Sequence, residues 1–180
     1  MKYLALLRGI NVGGNNIIKM IDLKACFEKI GCTDVSTYIQ SGNVIFSSSK
    51  SEPNLCKIIE QALSKTFGYK ASIVLIKQSD LKRIFDSKPK NFGTDPNTYR
   101  YDVFFLKKPL TAKQALKEVS CREGVDQAFA GSGVLYFTRL ISRITQSQIN
   151  KIILSPIYKQ ITIRNWNTTK KLASLMQSET

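Results

Sequence analysis

The sequence predicts an α+β protein made of two successive β-α-β-β-α-β units. Three observations carry that expectation. Short apolar runs that read as strands alternate with stretches whose apolar residues recur at spacings of three and four. The order of these elements over residues 1–78 returns over residues 99–180. Between the two, residues 79–98 hold a short helical stretch and then a linker rich in Pro, Asn, Gly and Asp. A chain of 180 residues is long enough to bury a sizeable core, as one large domain or two small ones.

In the first unit, residues 3–7 are almost continuously apolar, as in a strand buried on both faces. They lead into Arg8-Gly9-Ile10-Asn11-Val12-Gly13-Gly14-Asn15-Asn16, where glycine and asparagine supply backbone conformations that other residues adopt at a cost. Met20, Leu23, Phe27 and Ile30 then form a helical stripe that Gly31 can end. Residues 35–39 and 44–48 read as strands flanking a hairpin turn, Gln40-Ser41-Gly42-Asn43. Pro53 opens a second helix with Leu55, Ile58, Ile59, Ala62 and Leu63 facing inward, ending at Gly68. A strand over 72–77 completes the unit, and Ser79 is expected to cap a short helix through residue 85.

The second unit opens with a strand over 101–106, then a helix headed by the capping box Thr111-x-x-Gln114. Strands over 125–130 and 134–139 flank Gly131-Ser132-Gly133. Thr145-x-x-Gln148 predicts a further helix through residue 154, followed by a short strand over 160–163. The chain closes on Arg164-Asn165-Trp166-Asn167-Thr168 and a helix carrying Leu172, Leu175 and Met176. Asn167 is the expected N-cap of that helix, with Trp166 packed beside it.

Two such units are two ferredoxin-like halves, with extra helices. That topology has strand order 4-1-3-2, so strand three lies antiparallel beside strand one. Arg8, Asn11, Gly13, Gly14 and Asn15 then fall at the same sheet edge as Gln40, Ser41 and Asn43. The cluster is rich in donors and carries a cation, as an anion or nucleotide site requires. The plainer alternative is a long connection whose Gly and Asn residues only satisfy turn geometry.

Composition narrows the function. The net charge is +14 and the pI about 9.7. Residues 1–90 carry 14 Lys/Arg against 7 Asp/Glu, and residues 91–180 carry 13 against 6, so the charge is spread evenly. Nucleic acid or another polyanion is a natural partner for such a chain, and a basic solubilising surface is the alternative. Histidine is absent, which excludes imidazole bases, Ser-His and Cys-His pairs and most zinc sites. The four cysteines lack C-x-x-C spacing and read as reduced thiols. No metal-ligand spacing appears, the glycines match neither a Walker A loop nor G-x-G-x-x-G, and no cofactor is expected. No apolar run is long enough for a membrane span and the N-terminus does not read as a signal peptide, so a soluble cytoplasmic protein is expected.

Three blocks carry a resemblance. Ala5-Leu6-Leu7-Arg8-Gly9-Ile10-Asn11-Val12-Gly13-Gly14, Tyr38-Ile39-Gln40-Ser41-Gly42-Asn43-Val44, and Thr162-Ile163-Arg164-Asn165-Trp166-Asn167-Thr168 with Lys171-Leu172 resemble the signature blocks of the bacterial family catalogued as domain of unknown function 1697. The likeness runs the length of the chain. It implies a two-subdomain α+β fold and brings no assigned reaction or ligand. Thr169 stands where the family typically has an apolar residue.

Three classes of function survive. The leading one is binding of an anionic ligand, nucleic acid or a nucleotide or other phosphorylated molecule, by the residue 8–16 loop and the Gln40–Asn43 turn. Arg8 and Arg164 would hold the anion, with Asn11, Gly13, Gly14, Asn15, Gln40, Ser41, Asn43, Asn165 and Asn167 supplying polar contacts and Trp166 a stacking face. RNA-recognition domains share the half-fold, but Gly42-Asn43-Val44-Ile45-Phe46 lacks their aromatic pattern, and the apolar strands imply covered sheet faces. A small-molecule enzyme or ligand sensor is the second class, although no block contains a carboxylate for acid–base work. A protein-interaction or oligomeric module with structural motifs is the third. Catalytic residues, oligomeric state, and whether the first and third blocks form one site stay open at this level.

Overall fold

The computed structural model describes residues 1–177. It divides into two compact units, one of Met1–Ser79 with residues 172–177, the other of Asp80–Lys171. Each is built on a four-stranded antiparallel sheet.

The first unit contains β1 (Lys2–Leu7), α1 (Met20–Lys29), β2 (Thr33–Tyr38), β3 (Asn43–Ser47), α2 (Glu52–Phe67) and β4 (Ile73–Lys77), with sheet order β2-β3-β1-β4. β1 is central, antiparallel to β3 and to β4. Tyr3, Ala5 and Leu7 pack with Phe46, with Leu23 and Phe27 of α1, and with Leu55, Ile59 and Leu63 of α2. Leu4, Leu6, Ile45, Val74 and Ile76, on the opposite face, are buried as well, so the sheet offers no open platform. That double burial is why β1 reads as continuous rather than alternating hydrophobicity.

The end of α1 shows how residue type sets a boundary. Gly31 takes a left-handed φ of 86°, its N–H bonds to Glu28 O at 3.0 Å, and Cys32 N–H bonds to Phe27 O at 3.2 Å. These two bonds are the Schellman closure, and Lys50 Nζ adds a bond to Ile30 O at 2.9 Å. The next helix, α3 (Gln78–Asp86), follows β4 without an intervening residue. Ser79 is therefore inside its first turn and does not precede it as a cap.

The second unit contains β5 (Tyr99–Leu106), α4 (Ala112–Glu118), β6 (Asp126–Ala130), β7 (Val134–Leu140) and β8 (Ile161–Asn165), in the order β6-β7-β5-β8. Phe104 and Phe137, with rings 5.3 Å apart, centre a core shared with Leu106, Leu135, Ile161 and Ala115 of α4. Thr111 and Gln114 form the expected reciprocal capping box.

Between β7 and β8 the expected helix over 145–154 is replaced by three 3₁₀ segments, Ile141–Gln146, Ile149–Leu154 and Pro156–Gln160. Three interactions explain the change. Ser147 is extended (φ −60°, ψ 140°) and its Oγ accepts from Ile149 N–H, an alternative to helical bonding. The Gln148 N–H donates to Asp126 Oδ2 at 2.7 Å and not to a carbonyl one turn earlier. Pro156 then holds Ser155 out of the helical region. After β8, α5 (Trp166–Gln177) begins at once. Its first turn is capped by Asn165, whose Oδ1 accepts from Thr168 N–H at 2.8 Å, so the cap lies two residues before Asn167.

Candidate functional site

The first unit places the Arg8 loop at the β3 turn, as the strand order requires. Leu7 N–H donates to Gly42 O at 2.8 Å, and Asn11 Nδ2 donates to Gln40 O at 2.8 Å. The loop is a closed miniature hairpin. Asn15 N–H returns to Val12 O at 3.0 Å across Gly13 and Gly14, whose φ values of 57° and 77° suit a type I′ turn. Asn11 N–H bonds to Asn16 O, and Asn16 Nδ2 bonds to Gly9 O.

These bonds decide what the asparagines are free to do. Asn11 also donates to Ile18 O and accepts from Ile18 N–H, so its amide braces both ends of the loop. Asn43 is fully buried, with Nδ2 bonded to Tyr38 O and Ser41 Oγ across the turn. Gly42 sits so close to β1 that an added Cβ would lie 2.6 Å from Ile10 Cδ1 and 2.8 Å from Leu7 Cβ. Arg8 is half-buried and engaged, while Gly13, Gly14, Asn15 and Gln40 are exposed.

The second unit carries Arg164, Asn165, Trp166 and Asn167. Arg164 pairs with Val103 in the sheet, and one guanidinium N–H donates to Ile163 O at 2.9 Å. Burial pushes its pKa down to about 10, which still leaves it charged at neutral pH. Trp166 is only 6% exposed. Its ring stacks on Phe85 at 4.7 Å and meets Phe92 edge-on at 5.3 Å, while Gly93 lies against its Nε1 edge. A Cβ at residue 93 would come within 2.2 Å of that nitrogen, and the φ of 84° suits glycine besides. Trp166 is thus an anchor of an aromatic cluster in which Phe92 also touches Tyr101 and Tyr136.

Beside this cluster lies a cavity of about 360 Å³. Asn165, Trp166 and Asn167 line it, and Arg164 does not. The rest of the lining was missed by sequence reasoning. Arg100 and Lys170 supply two cations, Tyr99 and Tyr101 two phenol rings, and Ile141 and Ile144 an apolar wall, with Gly93 and Pro96 closing the lining. No carboxylate lines the cavity, and among the described residues neither Arg100 nor Lys170 is held in an ion pair. Asn165 Oδ1 is committed to the helix cap, which leaves Nδ2 as a donor. A signal for part of this was present: Tyr99-Arg100-Tyr101 alternates ring, cation, ring, and Asn167 and Lys170 are one helical turn apart.

The arrangement defines an α+β protein with two four-stranded antiparallel sheets, several helices and a cation-lined cavity in its second unit. The family model described as "Protein of unknown function (DUF1697)" matches residues 1–136, and the chain belongs to that family. The matched region takes in the Arg8 loop and the Gln40–Asn43 turn and ends before the Arg164–Thr168 block. Among solved structures, the chain is similar to "conserved bacterial protein SP0830 from Streptococcus pneumoniae", with 26% identity and a TM-score of 0.86, covering 98% of each chain. No curated protein matches the sequence. Among the described residues no helix is long and apolar enough to cross a membrane.

Proposed function

We propose that this protein binds an anionic small molecule, a nucleotide or another phosphorylated compound, in the cavity of its second unit. One observation carries the reading: two cations, Arg100 and Lys170, line a concave site with no carboxylate to neutralise them. Like charges gathered around a cavity are costly unless a counter-charge enters. Asn165 Nδ2 and the Asn167 amide add donors that orient such a ligand. The Arg8 loop supports a ligand role less well, because Asn11, Asn16 and Asn43 are occupied within the loop and turn. An exposed contact surface at Gly13, Gly14 and Asn15 is compatible with the same reading.

We read each unit as a ferredoxin-like half and the pair as a tandem duplication. Identical strand orders support this, and the 3₁₀ segments stand where the second unit's second helix would lie. The protein is taken to act in the cytoplasm, in line with its four free cysteines.

The test is thermal stabilisation by a panel of nucleotides, phosphorylated sugars and inorganic pyrophosphate, since a ligand of the native state raises the melting temperature by mass action. An anion that stabilises the wild type should bind Arg100→Gln/Lys170→Gln at least about tenfold more weakly, given the strength of charge-assisted hydrogen bonds. If the double variant responds as the wild type does, the anion binds elsewhere and the assignment fails.

A further inference from the structure

We infer that the ligand of this cavity is a single nucleotide 5′-phosphate, with its base against Tyr99 and Ile141 and its phosphate held by Arg100 and Lys170; the inference rests on the anion-site reading above. Four observations lead there. The volume, about 360 Å³, lies at the small end of the range for ligand sites and suits one mononucleotide. Its lining combines chemistry of two kinds, cations for a phosphate and flat or branched apolar groups for a ring.

The apolar part is also left open. Tyr99 is 37% and Ile141 41% exposed, although Tyr101, two residues along the same strand, is buried. A phosphorylated sugar without a base would pair the cations and leave these side chains in water, whereas a base would cover them. Tyr101 and Trp166 are already packed against Phe92; Tyr99 meets Tyr101 only at a tilt, with rings 6.3 Å apart, and its exposed face can still accept a stacked partner. Finally, the Asn167 side chain is exposed and makes no hydrogen bond among the described residues, so it presents both donor and acceptor toward a base edge.

The test is calorimetric titration of the full chain with AMP, GMP, CMP and UMP, with ribose 5-phosphate, with the four nucleosides, and with a twelve-residue oligoribonucleotide at two salt concentrations. At least one mononucleotide should bind about tenfold or more tightly than ribose 5-phosphate, from stacking alone. Tyr99→Ser should remove that margin while leaving ribose 5-phosphate binding unchanged, and Arg100→Gln/Lys170→Gln should weaken both ligands. If Tyr99→Ser lowers the melting temperature, Ile141→Ser, at an exposed position, carries the same expectation. Equal affinity for ribose 5-phosphate and every mononucleotide overturns the nucleotide assignment and leaves the anion site standing. Nucleosides binding as well as nucleotides overturn both, as does the absence of binding by any of these ligands at millimolar concentration. An oligonucleotide that binds more tightly than every mononucleotide at the higher salt, and is weakened by the Arg100/Lys170 changes, overturns the limit to a single nucleotide.

Discussion

Gly42 illustrates how a single residue can hold a fold together by what it lacks. Its φ is 76°, and a Cβ there would meet Ile10 and Leu7 at under 3 Å. Gly42→Ala adds left-handed strain to overpacking and should cost about 2–4 kcal/mol in denaturant unfolding. A smaller effect would mean that the turn can shift away from β1. Tyr69 presents the opposite case. Among the described residues its buried hydroxyl has no hydrogen-bond partner, and burial pushes its pKa up to about 12. Tyr69→Phe removes that orphan group, so stability at neutral pH should hold or rise by about 1 kcal/mol. The pH dependence has a definite sign. The folded pKa is the higher one, so the fold favours the protonated phenol, and that contribution is complete below pH 10 and is lost as pH rises toward 12. The stability difference between variant and wild type should widen across that window; a constant difference would show that Tyr69 does not titrate with unfolding. Thiol chemistry sorts by burial in the same way. Cys26 and Cys32 are buried while Cys121 is exposed, so native alkylation followed by mass spectrometry should label Cys121 first. Partial desolvation of its sulfur, and then the charge of Asp126, hold the Cys121 pKa above its usual value although the residue is exposed, so labelling should be slow until the solution is clearly alkaline.

At the scale of elements, local signals succeeded where the neighbours agreed with them. Thr111 and Gln114 form the box that their spacing announces, and Thr111→Ala should cost about 1 kcal/mol of stability, read from urea midpoints at unchanged slope. Thr145 and Gln148 have the same spacing without the same result, because Asp126 takes the Gln148 N–H and Pro156 blocks helical continuation beyond Leu154. Asp126→Asn should weaken that bond and loosen the 3₁₀ segments, seen as faster amide exchange at Gln148, with α4 unaffected. The start of α5 was decided in a related way. Asn165 and Asn167 are equally plausible caps by type, and the end of β8 at Asn165 selects the first.

For the whole molecule, the charge of +14 bears on association more than on fold. Binding of an oligonucleotide through spread surface cations should weaken steeply as salt rises, whereas a ligand held by two cations in a cavity should respond weakly. Comparing the two salt slopes separates diffuse polyanion attraction from occupancy of the cavity. The two units share a strand order but not their covering elements, and the cavity belongs to the unit whose β7–β8 connection is a run of three 3₁₀ segments. Ile141 and Ile144, which supply its apolar wall, come from that connection.

Much of what short-range chemistry controls was legible in the sequence alone, the 145–154 segment and the α5 cap excepted. Hydrophobic period marked the strands and most helices, Gly31 and Gly68 the helix ends, and the strand order then brought Asn11 to Gln40. Which polar groups remain available was settled instead by tertiary packing. Asn11 and Asn43 look like ligand residues by type and prove to be held by backbone groups, and Trp166 is locked among Phe85, Phe92 and Gly93. Arg100 and Lys170, unremarkable in a basic chain, line one cavity because β5 and the start of α5 both border it. Spacing along a chain constrains local bonding, while the pairing of residues 70 positions apart depends on how strands and helices pack.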